Sequence, residues 1–166
     1  MASWPASIAL AQWLAAAPDA PRPTVVESRA AAPGTPRPPP LRVLELGAGI
    51  GLPGLSLAAR GGGDGGVALT LSDLDASSAR EGPTQLVSNL VHNAAANGLD
   101  GAAPCCCVSH ALDWTDRKTW LPPQSFDLVL GADVLYYPAL TEVCACRCVG
   151  VNGGACREYV GVGVLR

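Results

Sequence analysis

The sequence predicts an α/β fold built on a mostly parallel, doubly wound sheet. Short apolar segments rich in β-forming residues alternate with segments whose leucines and valines recur at helical spacing, the pattern of strand–helix–strand units. The clearest unit spans residues 41–59, where an apolar strand is followed by a glycine-rich turn and a leucine-rich helix. Acidic residues follow several predicted strands, and in such sheets ligands bind beyond the carboxyl ends of the strands.

The chain opens with a predicted helix at residues 1–17. Trp4-Pro5 begins it, because proline suits the first helical turn, and Pro18 ends it. Residues 18–40 hold eight prolines and predict an extended loop. Four strands follow, and right-handed crossovers predict that they lie in the sheet in the order 3-2-1-4. The predicted strands are residues 42–46, 68–72, 105–109 and 126–132.

These elements divide the chain into a core at 41–143 and a divergent tail at 144–166. Between the second and third strands, residues 77–96 predict a helix, and Asn97-Gly98 supplies its stop. In the tail, Tyr159 to Leu165 carries valines at alternate positions and is the candidate for a fifth strand beside the fourth. The glycines between the valines weaken that strand.

Composition limits the classes of function. The chain has 166 residues, 49% of them hydrophobic, which suits one domain with a real core. A net charge of -3 lacks the excess of basic residues that is typical of nucleic-acid-binding proteins, and no apolar run is long enough to cross a membrane. We therefore expect neither a nucleic acid nor a membrane as partner. The sequence gives no indication of oligomeric state.

Seven cysteines without a secretory signal indicate reduced thiols and a cytoplasmic location. The Ala-, Ser- and Arg-rich first 40 residues leave an organelle transit peptide open as the alternative. Cys105, Cys106 and Cys107 are consecutive and are expected to act as small buried hydrophobes in a strand. The tail cysteines form no C-x-x-C pair, so no metal site is predicted there. They are Cys144, Cys146, Cys148 and Cys156.

The glycine-rich turn is the strongest functional motif. Glu45 is followed by Gly47, Gly49 and Gly51, and such glycines let the backbone turn sharply and approach a ligand closely. A dinucleotide fingerprint would need glycine at position 52, where this chain has Leu52. The segment E-L-G-A-G-I-G instead resembles the first motif of methyltransferases that use S-adenosylmethionine (SAM) and have a seven-stranded Rossmann-like sheet.

Three side chains at other strand ends extend this candidate site. Asp73 lies 22 residues after Gly51, where an acid can accept hydrogen bonds from both ribose hydroxyls of a nucleoside or, alternatively, cap the next helix. Trp114 offers a flat face for adenine, although a half-buried core tryptophan has the same sequence signature. Asp133 ends the fourth strand and is either a site residue or a helix cap.

Several segments narrow the resemblance to the protein-lysine methyltransferases of methyltransferase family 16. Residues 126–137, FDLVLGADVLYY, look like the family's fourth-strand motif with its D-x-x-Y, and Trp4-Pro5-Ala6 resembles its W-P-A segment. Asn89, Asn93 and Asn97-Gly98 are similar to its second helix. The resemblance covers the chain from Trp4 to about residue 143, except for the proline loop. It implies an incomplete Rossmann-like sheet, with four to five of the usual seven strands.

The resemblance also implies roles for individual residues. The three glycines would pass the methionine part of SAM with Glu45 as the acid of their motif, Asp73 would hold the ribose and Trp114 would flank the adenine. Trp4 would close over the cofactor, Ala132 would line the sulfonium, and Asp133 and Tyr136 would face a lysine of a protein substrate. The implied cofactor is SAM, and the implied reaction is N-methylation of that lysine. The residues of the cofactor site are Trp4, Glu45, Gly47, Gly49, Gly51, Asp73, Trp114 and Ala132.

Two other functions stay open at this point. The chain departs from the family pattern before Trp4 and after residue 143, and the last two strands of a seven-stranded sheet are missing from the sequence. A degenerate, non-catalytic SAM-binding domain from a truncated gene product is therefore the first alternative. A dinucleotide-dependent oxidoreductase is the second, and Leu52 argues against it.

Overall fold

The computed structural model describes residues 4–15, 34, 36–61, 66–74, 85–100, 105–122, 126–134 and 158–162. The helices in these ranges are α1 (Pro5–Ala15), α2 (Leu52–Ala59) and α3 (Leu86–Ala96), and a short 3-10 turn covers Arg117–Thr119. The strands are β1 (Leu41–Leu46), β2 (Val67–Asp73), β3 (Cys105–Ala111), β4 (Leu128–Ala132) and β5 (Glu158–Val162).

The five strands form one sheet in the order β3-β2-β1-β4-β5, and every neighbouring pair is parallel. This order confirms the predicted 3-2-1-4 arrangement with the first strand inside the sheet. The fifth strand pairs with β4 as expected, with Tyr159 opposite Val129. It begins one residue earlier than predicted, at Glu158, and residues 163–165 of the predicted strand lie outside the described residues.

The fourth strand begins at Leu128, two residues later than the sequence predicts. Asp127 instead clamps the amino end of β1. Its carboxylate accepts hydrogen bonds from the Arg42 backbone N–H and guanidinium, and its own N–H donates to the Arg42 carbonyl oxygen at 2.8 Å. The ion pair between the two side chains has an N–O distance of 3.0 Å. These hydrogen bonds, most of them to the Asp127 side chain, thus join the two segments just before the paired residues of β1 and β4 begin.

The three described helices share one core with one face of the sheet. Apolar side chains of β1, β2 and β4 pack there against leucines and alanines of α1, α2 and α3. α1 confirms the predicted N-terminal helix, with Trp4 at its cap position and Pro5 as its first residue. α3 ends as predicted at Asn97-Gly98, where Gly98 has a φ of 67°. Residues 75–84, with the first part of the predicted helix, lie outside the described residues.

The other face of the sheet carries a smaller core and an open margin. Leu44, Leu46 and Val129 pack with residues of the segments next to the strands. At the margin, Val108 of β3 is 51% exposed and Cys106 is also exposed, because β3 is an edge strand of the described sheet. The prediction that Cys106 is buried was therefore wrong. Cys107 points the other way and packs against the core under the helices.

Several predictions concern residues that the structure does not describe. Tyr136 and the four tail cysteines lie outside the described residues, as does most of the proline-rich loop.

Among the described helices, none combines the length and the apolar character needed to cross a membrane. The described residues also contain no group of three side chains that could hold a metal ion.

Candidate functional site

The glycine-rich turn joins β1 to α2 at the carboxyl end of the central strands. Gly47, Gly49 and Gly51 all have left-handed backbone conformations, with φ values of 56°, 58° and 77°. A side chain is strained in that region, whereas glycine is not. The alternating glycines of the sequence are therefore what allows this turn to form.

The three glycines face different surroundings. A Cβ at Gly51 would lie 3.1 Å from side-chain atoms of Leu71 and Leu90, so this glycine packs the turn onto the core. A Cβ at Gly47 would lie 3.0 Å from Val134 and 3.7 Å from the ring of Trp114. A Cβ at Gly49 would meet no atom within 4 Å. Gly49 is thus the point at which the turn is open to a ligand.

The end of β2 fixes the turn from one side. The Ala48 N–H donates to the Ser72 carbonyl oxygen at 2.9 Å, and the Gly49 N–H donates to Oδ2 of Asp73 at 2.7 Å. The Ser72 hydroxyl donates in turn to the Glu45 carbonyl oxygen at 2.8 Å. These bonds bring Asp73 beside the open glycine, as the sequence predicted for a cofactor site.

The Asp73 carboxylate is half-buried and accepts two backbone hydrogen bonds. Its second oxygen, Oδ1, accepts from the N–H of Leu74 at 2.7 Å. Burial raises the pKa of Asp73 above its ordinary value, and the Gly49 and Leu74 N–H groups oppose that shift. Each carboxylate oxygen can accept more than one hydrogen bond, so both keep capacity for hydroxyl donors.

Glu45 lies beneath the turn, on the side of the helices. It is 2% exposed, and its Oε2 accepts a hydrogen bond from the N–H of Gly54 in the first turn of α2, at 2.8 Å. Burial raises its pKa to about 8, Gly54 opposes the shift and the charge of Asp73 adds to it. The acid therefore supports the start of α2, and its contact with a cofactor stays a prediction.

Trp114 stands on a loop that follows β3 and is locked by hydrogen bonds. The Leu112 N–H donates to the Asp73 carbonyl oxygen at 2.8 Å, and the Asp113 N–H donates to the Thr119 hydroxyl at 2.9 Å. Oδ1 of Asp113 accepts from the Thr115 hydroxyl, which lowers the pKa of Asp113. The half-buried Trp114 ring packs on the smaller core and lies close to Gly47. Trp114 thus has a core contact and a place beside the candidate site.

The end of β4 supplies the third side of the site. Ala132 is buried, and the next residue, Asp133, has a φ of 58°. Among the described residues it is the only non-glycine with a positive φ. The residue after it, Val134, is buried against Gly47. Backbone strain of this kind is retained where the surrounding structure demands it, often at functional sites.

This conformation allows the backbone role of Asp133 to be separated from its carboxylate. Asp133→Asn is expected to leave the free energy of unfolding within about 0.5 kcal/mol of the wild type, because asparagine tolerates the left-handed region as aspartate does. Asp133→Val is expected to lower it by about 1–2 kcal/mol, because a β-branched residue does not. Urea denaturation followed by circular dichroism measures both. A Val variant as stable as the Asn variant would contradict the assigned conformation.

Trp4 lies at the amino end of α1, with 64% of the residue exposed. The Arg60 guanidinium donates to the carbonyl oxygen of Ala15, so the carboxyl ends of α1 and α2 meet. The two helices pack against each other. The closure of Trp4 over a cofactor stays a prediction.

The comparisons with known proteins agree with this arrangement. A family model described as lysine methyltransferase matches residues 1–146. The chain belongs to this family. Among curated proteins, the EEF1A lysine methyltransferase 3 of Xenopus tropicalis is 33% identical over 112 residues, which cover 64% of this chain and 42% of that protein. The chain therefore spans less than half the length of this relative.

A solved structure shows the same fold. An O-methyltransferase family protein from Burkholderia thailandensis superposes with a TM-score of 0.53 at 14% identity, covering 82% of this chain and 32% of that one. The parallel sheet of this lysine methyltransferase family member is accordingly Rossmann-like, as the sequence predicted. Five of its strands lie in the described residues.

SAM is the cofactor that membership of the lysine methyltransferase family implies, and the residues present fit it. The open side of Gly49 leaves room for a ligand beside the turn. Asp73 adjoins that space with acceptor capacity for ribose hydroxyls, and Trp114 offers an aromatic face near Gly47. The structure thus brings Asp73, Trp114, Ala132 and Asp133 around one turn, which residue spacing alone could only suggest.

Sequence reasoning missed three residues that shape the site of this family member. Asn93 donates from Nδ2 to the Ile50 carbonyl oxygen at 2.9 Å, Gly54 binds Glu45, and Val134 packs beneath Gly47. A glycine inside a predicted helix costs stability and was a signal for Gly54. The asparagines of α3 were noted only as a resemblance. Nothing in the spacing pointed to Val134.

Proposed function

We propose that this chain is a SAM-dependent methyltransferase that N-methylates a lysine side chain of a protein substrate. One observation carries the proposal: the open glycine turn of a lysine methyltransferase family member lies between an acid suited to a nucleoside and the strained acid that ends β4. The relative from Xenopus is named for a protein substrate, EEF1A, which makes that protein the first substrate to test.

Each residue has a defined part in the proposed reaction. SAM, when bound, supplies an activated methyl group on a sulfonium. Asp73 holds the ribose, and Trp114 flanks the adenine. The incoming lysine must be uncharged to attack, and because free lysine titrates near ~10.4, its amine must first shed a proton to solvent. Asp133 would accept an N–H hydrogen bond from the amine and aim its lone pair, and the family resemblance implies that Tyr136, which lies outside the described residues, would face the same group. Positioning of the two reactants supplies most of the acceleration.

The role of Asp73 gives a direct binding prediction. Asp73→Asn keeps the size of the side chain and removes its charge, and hydrogen bonds to charged groups are worth about 1.5–3 kcal/mol. SAM affinity measured by titration calorimetry is therefore expected to fall about tenfold to hundredfold. Asp100→Asn, which changes an exposed acid after α3, is the matched control and should bind like the wild type. Equal affinity in a folded Asp73→Asn protein would remove Asp73 from the site.

A methylation assay tests the function itself. Transfer of labelled methyl from SAM to EEF1A, and separately to a cell lysate depleted of SAM, should depend on Asp133 and fall in Asp133→Asn, because a neutral amide oxygen is a weaker acceptor than a carboxylate. Mass spectrometry of the product should place the methyl group on a lysine Nζ. SAM binding without transfer to any protein would instead identify a non-catalytic SAM-binding domain.

We also propose that the protein acts in the cytoplasm without nucleic acid or membrane partners. The formal net charge of -3 argues against a nucleic acid partner, and the seven cysteines of the chain suit a reducing compartment. Imaging of the chain with a fluorescent tag at its carboxyl end would test this location against the organelle alternative.

A further inference from the structure

We propose that Asn93 is a positioning residue that holds the glycine turn in the conformation that receives SAM. Nδ2 of Asn93, on α3, donates to the carbonyl oxygen of Ile50 at 2.9 Å, across 43 positions of the chain. Ile50 stands between Gly49 and Gly51, at the middle of the turn. This inference rests on the proposed function and adds to it a residue that does not itself touch the cofactor.

The Ile50–Gly51 peptide needs a contact that fixes its conformation. Gly51 has a φ of 77°, and a glycine can change its backbone conformation at little cost, so stereochemistry alone does not fix this peptide. Its N–H donates to the Ala48 carbonyl oxygen at 2.7 Å, a bond within the turn itself. Its carbonyl oxygen is tied to α3 by the bond from Asn93, whereas the next peptide is tied to α2 by the Leu55 N–H, which donates to the Gly51 carbonyl oxygen at 2.9 Å.

α3 is well placed to act as the fixed point. Leu90 and Ala94 are buried on the face of α3 that packs on the core, and Asn93 lies beside them in the helix. Leu90 also reaches the turn, where it would be 3.1 Å from a Cβ at Gly51. α3 therefore meets the turn through one apolar contact and one hydrogen bond. An apolar side chain could supply packing at position 93, but only a donor can supply the bond.

Asn93 and Asp73 bind neighbouring residues of the turn, Ile50 and Gly49. Asp73 accepts from the Gly49 N–H, and the same carboxylate is expected to accept from the ribose. Asn93 holds Ile50, whereas the side that is open to a ligand is that of Gly49. The turn thus stays anchored on α3 while Asp73 engages the ligand. A preformed turn lowers the ordering cost of binding.

Asn93→Asp tests the inference with a change of almost no volume. An ionised aspartate cannot donate to the Ile50 carbonyl oxygen, whereas a protonated one can. At pH 8 the variant is expected to bind SAM about tenfold more weakly than the wild type, since the carbonyl loses its partner. As the pH is lowered towards ~4, where aspartate titrates, that ratio should shrink towards one. Comparing variant and wild type at each pH cancels the titration of Glu45 and Asp73, which both proteins share.

Hydrogen exchange of the protein without SAM gives an independent measurement. In Asn93→Asp at pH 8, the amides of Gly49 and Gly51 should exchange at least several-fold faster, while the amides of β1 should not change. Asn97→Ala is the matched control. It removes a side-chain amide whose Nδ2 donates to the Asn93 backbone carbonyl oxygen, within the same helix and away from the turn. It should alter neither SAM affinity nor exchange in the turn.

The outcomes separate this inference from the proposed function. A wild-type protein that binds no SAM would overturn the proposed function, yet faster exchange in the turn of Asn93→Asp would still support the anchor. Conversely, a variant that matches the wild type in both SAM affinity at pH 8 and turn exchange would overturn the role of Asn93. Weaker SAM binding whose ratio to the wild type stays constant as the pH is lowered towards ~4 would also contradict it.

Discussion

Gly54→Ala is expected to destabilise the protein by on the order of 3–5 kcal/mol, or to prevent folding, although alanine is the better helix former. Gly54 lies in the first turn of α2, where helix propensity alone predicts a gain of about 1 kcal/mol for alanine. An added Cβ would lie 2.5 Å from Oε2 of Glu45, 2.9 Å from Leu69 and 3.0 Å from Leu71. All three neighbours are buried and cannot retreat into solvent.

Thermal and urea denaturation of the purified variant measure this effect. Ser56→Ala, two positions further along α2, is the matched control: it makes a helix substitution without a close contact of this kind and should change the unfolding free energy by under about 1 kcal/mol. A Gly54→Ala protein as stable as that control would show that α2 does not approach β1 and β2 as closely as these distances require.

The fold was largely predictable from the sequence because its determinants are local and topological. The alternating glycines permit the left-handed conformations that this sharp turn needs, and right-handed crossovers then fix the strand order around β1. The ends of elements were less predictable. At Asp127 a side-chain clamp on Arg42 took the place of strand pairing, and no pattern of apolar residues records such a contact. Cys106 was misjudged because exposure at a sheet edge depends on what covers that face.

The positions of the candidate site residues were more predictable than their roles, which stay predictions. Strand ends in a parallel sheet meet at one edge, so Asp73, Trp114 and Asp133 were correctly expected near the turn. Contacts between distant parts of the chain, such as Asn93 with Ile50, have no signature in spacing. Glu45 shows a missed signal. It alternates in phase with Leu41 and Val43, which pack under the helices, and alternation alone predicts a buried acid.

Glu45→Gln is expected to make the protein more stable at high pH and to leave its stability at low pH nearly unchanged. Burial raises the pKa of Glu45 to about 8, whereas in the unfolded chain it titrates near its model value of 4.5. Between these two values the folded protein holds a proton that the unfolded chain releases. Stability contributed by the protonated acid is therefore complete below about pH 4.5, falls as pH rises, and is lost above about pH 8.

Glutamine removes this titration while keeping an acceptor for the Gly54 N–H. The difference in unfolding free energy between variant and wild type should grow with pH in favour of the variant, by on the order of 4 kcal/mol at most. Urea denaturation at intervals from pH 4.5 to 9 measures it, and acids that do not interact with Glu45 cancel in the difference. Asp113→Asn is the control of opposite sign: its lowered pKa stabilises the fold above the ordinary range of aspartate and loses that effect only on acidification. A Glu45→Gln difference that is flat across this range would mean that Glu45 is ionised in the folded protein at neutral pH.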